Sequence, residues 1–273
     1  MAPPRVIVTR PAREAAHWVQ QLGAHGIPAV ALPLIAIDPC ASPTAQQALA
    51  RAYARRAQYK ALMFVSGNAV FHFFEQNRHP ALTGQALTAI KIRAWSPGSG
   101  TASALRQVGV PPDWIDGPAP DAAQFDSEAL WQQVHGQIEP GDRVLIVRGC
   151  SAAVGDADAP PQGTGRDWLA QHITAAGGLV DFVVAYQRGA PRFGPAELAL
   201  AQQAAHDGSL WLMSSSEAVA HLAQALPAQS WGAARALATH PRIAQAARTL
   251  GFGSVQECRP ALPDVVASIE SAA

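Results

Sequence analysis

The chain alternates short, wholly apolar runs with stretches of helical periodicity, and it does so twice. VIV at 6–8 and VLIV at 144–147 show no polar alternation, the pattern of strands covered on both faces of a parallel sheet. Each leads into apolar residues at helical spacing. Ala15, Ala16, Val19 and Leu22 precede Gly23 and Gly26, and Leu169, Ile173 and Ala176 precede Gly177 and Gly178; glycines in that place end helices. An extended run follows each helix, AVALPLIAI at 29–37 and LVDFVVAY at 179–186, so each half of the chain opens as a βαβ unit.

The later elements repeat in the same order. ALMFVSGNAV at 61–70 is answered by LWLMSSSEAV at 210–219, and RAWSPGSGTASALRQVGV at 93–110 by RALATHPRIAQAARTLGF at 235–252. Equivalent points lie about 140 residues apart, too long a period for a solenoid and right for a duplicated domain. Ser66, Ser214 and Ser215 stand where a strand hands over to a helix and can cap it. The expected fold is therefore α/β, with two parallel-sheet domains. Turn-forming residues at 37–43 and 187–195 mark the connections. Crossings there make the first domain discontinuous, 1–37 plus 190–273, with 38–189 as the second. Two contiguous domains divided within 117–126 fit the pattern as well. Residues 151–165 read as a long loop between a strand and its helix.

Composition narrows the functions. With 273 residues the chain can bury two cores, and 20 Lys and Arg balance 20 Asp and Glu, so the basic surplus of a nucleic-acid binder is missing and no nucleic acid is expected as partner. The start, MAPPRVIVTR, lacks a charged segment followed by an apolar one, and no apolar run approaches the roughly 20 residues of a membrane span. A cytoplasmic protein without a membrane partner is expected. Cys40, Cys150 and Cys258 are odd in number and far apart, with no CxxC spacing, which points to free thiols and no metal.

In an open parallel sheet, ligands bind beyond the carboxyl ends of the strands. Those ends carry Thr9 and Arg10; Ser66, Gly67 and Asn68; the 98–101 turn ending in Thr101; Arg148 and Gly149; Ser214, Ser215 and Ser216; and Thr239 with His240. Hydroxyls, arginines and the unpaired N–H groups of helix N-termini suit a ligand with several carboxylates or phosphates. Any single serine or threonine among them can equally be a plain helix cap. GSGTAS at 98–103 lacks the third glycine of a dinucleotide fingerprint, and neither a Walker loop, HExxH nor GxSxG occurs. No cofactor is expected, and catalysis by binding and orientation fits better than a side-chain constellation. Tyr186 closes its strand where the chain would cross between domains. Its phenol, both donor and acceptor, either stands at the mouth of a cleft or packs at the domain junction.

The ordered series VIVTRP, FVSGNAV, PGSGTASAL, RVLIVRG, GRDWLA, the run from Gly177 to Tyr186, MSSSEAV and ARTLGF resembles the uroporphyrinogen-III synthase family over nearly the whole chain. A monomer is expected, and the resemblance implies two flavodoxin-like (HemD-like) domains joined by a two-stranded linker. It also implies cofactor-free cyclisation of hydroxymethylbilane to uroporphyrinogen III, with loss of water and inversion of ring D. The family's recurrent tyrosine matches Tyr186, and its hydroxyl positions match Ser66, Thr101, Ser214 and Ser215, with Arg10 and Arg148 as partners for the eight substrate carboxylates. Val65 stands where the family has threonine, and 239–242 (THPR) replaces a glycine-hydroxyl turn. Two other readings share the strand-end hydroxyls. One is a non-catalytic two-lobe binding protein for a small polyanion; the other, a nucleotide-sugar transferase, would need an acidic ribose partner or a DxD motif, and neither occurs in a suitable context.

Overall fold

The computed structural model describes residues 3–75, 92–119, 122, 126–151 and 166–271. They form two compact units, Met1–Ile37 with Gly189–Ala273, and Asp38–Arg188. The long loop expected at 151–165 lies, apart from Ser151, outside the described residues.

The first unit takes β1 (Val6–Val8), α1 (Ala12–Ala24) and β2 (Ala29–Ala31) from the start of the chain. The remainder comes from its end: α7 (Pro195–Ala204), β9 (Leu210–Met213), α8 (Ser216–Ala225), β10 (Arg235–Ala238), α9 (Pro241–Leu250), β11 (Ser254–Glu257) and α10 (Leu262–Ser271). The sheet runs β2-β1-β9-β10-β11, all parallel. Numbered along this unit, that order is 2-1-3-4-5, the flavodoxin-like winding. Both faces are dry. Ile7, Trp211, Met213, Ala236 and Ala238 point into one core, and Val6, Val8, Leu210, Leu212 and Leu237 into the other, with Leu22, Val265 and Ile269. Trp211 anchors the larger core: its indole donates to the Ala204 carbonyl at 3.1 Å, and it meets Trp231 edge-on, which in turn stacks on Phe252.

The second unit contains β3 (Ala36–Asp38), which begins just before the junction, then α2 (Pro43–Ala54), β4 (Ala61–Phe64), α3 (Gly67–Glu75), β5 (Arg93–Trp95) and α4 (Ser99–Gln107). It continues with β6 (Ile115–Asp116), α5 (Ser127–Val134), β7 (Arg143–Ser151), α6 (Arg166–Ala175) and β8 (Leu179–Gly189). Its sheet runs β3-β8-β7-β4-β5-β6. Ala61, Met63, Trp95, Val144 and Ile146 face a core with Leu130, Val134, Leu169 and Ile173. On the other side Phe64, Phe73, Phe74 and Tyr53 form a cluster with ring centroids 5.3–6.3 Å apart, close enough for favourable edge and offset contacts.

The repeated segments occupy equivalent places. Setting β3 aside, the second sheet reads β8-β7-β4-β5-β6 against β2-β1-β9-β10-β11 in the first, so β7 matches β1, β4 matches β9 and β5 matches β10, as the sequence similarities do. The second unit is thus the same winding with its chain order permuted. One expectation is corrected: AVALPLIAI is two strands, β2 and β3, where its counterpart β8 is continuous. Leu32 and Leu34 both donate to β1 and the residue after it, at 2.9 and 3.2 Å, while Pro33 between them has no donor for a further neighbour. That is tolerated because β2 is an edge strand, and β3 joins the second sheet beside β8. A smaller difference is that β8 continues through Gly189, so residues 187–189 are strand and not turn.

Candidate functional site

In a 2-1-3-4-5 sheet the connections leave in opposite directions on either side of the step from strand 1 to strand 3, and a crevice opens at the carboxyl ends there. In the second unit that step lies between β7 and β4. Ser66, Gly67 and Asn68 follow β4, and Arg148 and Gly149 end the regular part of β7. Tyr186 comes from β8, beside β7.

The structure brings Tyr186 and Ser66 together. The phenol oxygen is 3.1 Å from Ser66 Oγ, and Ser66 Oγ also accepts the Ala69 N–H at 3.2 Å, so Ser66 caps α3 and touches the phenol at once. Tyr186 is only 5 % exposed. To reach β4 from β8 its ring must cross β7, and it does so over Gly149, its register partner, at an irregularity in the ladder between Arg148 and Gly149. A Cβ on Gly149 would stand 2.5 Å from Tyr186 Cε2 and 2.9 Å from Cε1, nearer still to Cζ. Gly149 does not have a positive φ, so the ring, not the backbone conformation, demands glycine there. The ring also lies 5.7 Å from that of His72, at 31°. Gly149 was among the strand-end positions read from the sequence, but its role as the seat of the ring was not, and His72 escaped the reading altogether, giving no signal beyond lying in a helix.

The other expected residues divide between the two sheets. Thr101 is not a cap: α4 starts at Ser99, two residues earlier, and Thr101 is buried in its first turn. Arg148 is buried, its guanidinium 4.2 Å from the ring of Phe182. In the first unit Thr9, Arg10, Ser214, Ser215 and Ser216 flank the corresponding step between β1 and β9. Thr9 is buried and donates its hydroxyl to the Leu212 carbonyl at 2.7 Å, a bond that closes the sheet. Arg10 lies 3.4 Å from Glu14 and 4.6 Å above the Trp18 ring. Ser215 is the residue before α8, but its side chain makes no capping bond, which corrects the expectation for that hydroxyl. At the end of β10, His240 caps α9 through Nδ1, which accepts the Arg242 N–H at 3.1 Å.

Among the described residues no group of three or more His, Cys, Asp and Glu could hold a metal, and no helix is long and apolar enough to cross a membrane.

Two flavodoxin-like sheets, the second with a buried phenol paired to a strand-end serine, define a doubly wound α/β protein. The chain belongs to the uroporphyrinogen-III synthase family: the family model for uroporphyrinogen-III synthase HemD matches residues 16–267. It is thereby an enzyme of tetrapyrrole biosynthesis, forming uroporphyrinogen III. Among solved structures, uroporphyrinogen-III synthetase from Helicobacter pylori is 16 % identical, with a TM-score of 0.55 over 99 % of this chain and 100 % of that one. A mutant uroporphyrinogen III synthase from the extremely thermophilic bacterium Thermus thermophilus is 18 % identical over 98 % and 96 %, with a TM-score of 0.45. At such identities the likeness to the Helicobacter pylori protein speaks for the fold alone.

Proposed function

We propose that the strand-end cluster of the second unit is where hydroxymethylbilane loses water, which makes the protein a hydro-lyase with Tyr186 as its general acid. In the family's usual account the ring A hydroxyl departs to leave an azafulvene. Ring D then attacks through its substituted carbon to give a spiro intermediate, and fragmentation and recombination close the inverted ring. Only the first step needs a proton at a stated atom, the departing hydroxyl. Tyr186 can supply it, and a positioned acid of this kind contributes about 10²–10⁴-fold.

The single observation carrying this reading is the 3.1 Å pair of Tyr186 and Ser66 at the step between β7 and β4. Ser66 has accepted one N–H and can still donate its own proton to the phenol oxygen. In that arrangement the phenol proton points away, toward a ligand, and the serine stabilises the phenolate that remains after transfer. Gly149 and His72 fix the ring plane, so the acid is pre-oriented. Gly67 and Asn68 in the first turn of α3, and Ser214, Ser215 and Ser216 at the start of α8, offer hydroxyl, amide and backbone N–H donors for the substrate's carboxylates. The two compact units serve as the enzyme's domains, 1–37 plus 190–273 and 38–189, in a cytoplasmic monomer.

The test is to generate hydroxymethylbilane in situ, add the purified protein, oxidise the products and separate the porphyrin isomers. Without a synthase the bilane closes to the type I isomer. Predominant type III product is expected; type I alone, from folded protein, overturns the reading.

A further inference from the structure

The second unit holds a cavity of about 310 Å³ between α2 and the strands β7 and β8. One wall is a single helical face: Ala48, Arg51, Ala52 and Arg55 follow one another at the spacing that stacks side chains along a helix. The sheet supplies Arg143 and Leu145 from β7, and Asp181 and Val183 from β8. Leu145 and Asp181 are register partners, and alternation along each strand puts these four side chains on one face. The cavity stands at the opposite end of the strands from the tyrosine. Asp181 precedes Tyr186 on β8 by five residues, about 16 Å of strand, and Arg143 precedes Gly149 on β7 by six, about 20 Å.

The charges around this cavity do not cancel. Arg143 lies 2.5 Å from Asp181, so the one carboxylate is answered by the one arginine of the sheet. Arg51 and Arg55 are exposed and form no ion pair among the described residues. Residues 39–74 contain no Asp or Glu. The other two cations of that segment are engaged: Arg56 lies 4.2 Å above the Tyr53 ring and donates to the Tyr53 carbonyl, and Lys60 is 3.4 Å from Asp142. Like charges four residues apart work against a helix, and here they border a space that alanines leave open.

We infer that this cavity binds a small organic phosphate monoester, its phosphate on Arg51 and Arg55 and a flat apolar part against Leu145, Val183 and the two alanines. A phosphate monoester carries about −1.5 to −2 charges at neutral pH, which matches the two uncompensated guanidiniums. Guanidinium forks also engage phosphate oxygens two at a time. A single carboxylate or sulfonate leaves one of the two cations unanswered. The volume falls at the lower end of the roughly 300–1,000 Å³ of small-molecule sites, room for one ring and one phosphate. The site is separate from the strand-end cluster, and the inference does not depend on the role given to Tyr186.

Phenyl phosphate is the probe, titrated into the folded protein by calorimetry at fixed ionic strength. Saturable binding at one site is expected. Benzenesulfonate, of the same shape with one charge, and inorganic phosphate, without the ring, should each bind more weakly. Arg51→Gln and Arg55→Gln should each weaken phenyl phosphate by about tenfold or more, the loss of one charge-assisted hydrogen bond. Ala52→Leu keeps both charges but fills the cavity, so binding should be lost. Arg106→Gln removes an exposed arginine from the last turn of another helix and should change nothing; circular dichroism confirms that each variant is folded. No saturable binding by the wild-type protein, affinity unchanged in either arginine variant or in Ala52→Leu, or an equal loss with Arg106→Gln, overturns the inference. So does benzenesulfonate or inorganic phosphate binding as tightly as phenyl phosphate. Tyr186→Phe should bind the probe as the wild type does, so none of these results depends on whether the protein makes type III product.

Discussion

Gly149→Ala isolates the contact on which the reading of Tyr186 stands. The new methyl carbon would lie 2.5 and 2.9 Å from Cε2 and Cε1 of Tyr186. Carbon atoms settle no closer than about 3.5 Å, so the ring must retreat by roughly 1 Å. The backbone at residue 149 lacks a positive φ and accepts alanine, so the strain falls on the tyrosine. Overpacking of this kind costs about 1–3 kcal/mol of stability. The same retreat carries the phenol oxygen away from its 3.1 Å position beside Ser66, and a misplacement of about 1 Å can lower turnover 10²-fold. The assay is the rate of type III product, with a urea midpoint to confirm folding. On a Tyr186→Ala background the methyl finds the space of the missing ring, so adding Gly149→Ala should then cost almost no stability; contacting residues are expected to be non-additive in this way. A folded Gly149→Ala protein at the wild-type rate, or a stability cost that survives removal of the ring, refutes the argument.

Three further outcomes are expected. Tyr186→Phe keeps the ring on Gly149 and beside His72 but removes the proton donor, so turnover should fall by about 10²–10⁴-fold with an unchanged circular dichroism spectrum; unaltered kinetics remove Tyr186 from the mechanism. Ser66→Ala loses both the cap on Ala69 N–H and the phenol's partner, lowering stability by about 0.5–2 kcal/mol and turnover less than Tyr186→Phe does, read from urea curves and the isomer assay together. At the opposite end of the first sheet, partial burial works against the charge on Asp207, but hydrogen bonds from Ser209 and the charge of Arg5, 2.5 Å away, more than compensate and hold the carboxyl below its ordinary 3.8. A depressed carboxyl contributes stability above its unfolded value and loses it as pH falls through the folded one. Asp207→Asn should therefore destabilise at neutral pH and flatten the acid limb of the urea midpoint below about pH 4; parallel curves for the two proteins would contradict this.

What the sequence made legible was whatever local chemistry dictates. Continuous apolar runs marked β1, β4, β7 and β9 because both faces of those strands are covered, and glycines marked the ends of α1 and α6. Pro33 was visible in the sequence, but its effect was not, since a proline ends a ladder or sits harmlessly on an edge according to which neighbour needs the missing donor. The strand-end hydroxyls looked alike and proved different. Ser66 caps a helix and meets a phenol, Thr9 is spent on Leu212, and Ser215 leaves its helix without a side-chain cap. Side-chain direction at a strand end depends on the neighbouring strand, which comes from a distant part of the chain. For the same reason nothing local announced that Gly149 seats Tyr186.

The duplication and the winding together explain why the candidate groups collect where they do. Each repeat of the chain contributes its first strands to one sheet and its last three to the other: β1 and β2 stand with β9, β10 and β11, and β7 and β8 with β4, β5 and β6. The join between repeats in each sheet is therefore the step from β1 to β9 or from β7 to β4, which is also where a doubly wound sheet opens its crevice. Ser66 belongs to the first repeat, and Gly149 and Tyr186 to the second. Leaving β3 aside, each repeat alone holds a strand pair of one sheet and three neighbouring strands of the other, and an isolated pair of strands is at best marginally stable in water. Folding of either sheet thus requires both halves of the chain, and the contact made across the join, Tyr186 on Ser66, is the one assigned to the chemistry. Coupling the site to completion of the sheet in this way leaves no partly assembled form in which the phenol is held in place without its serine.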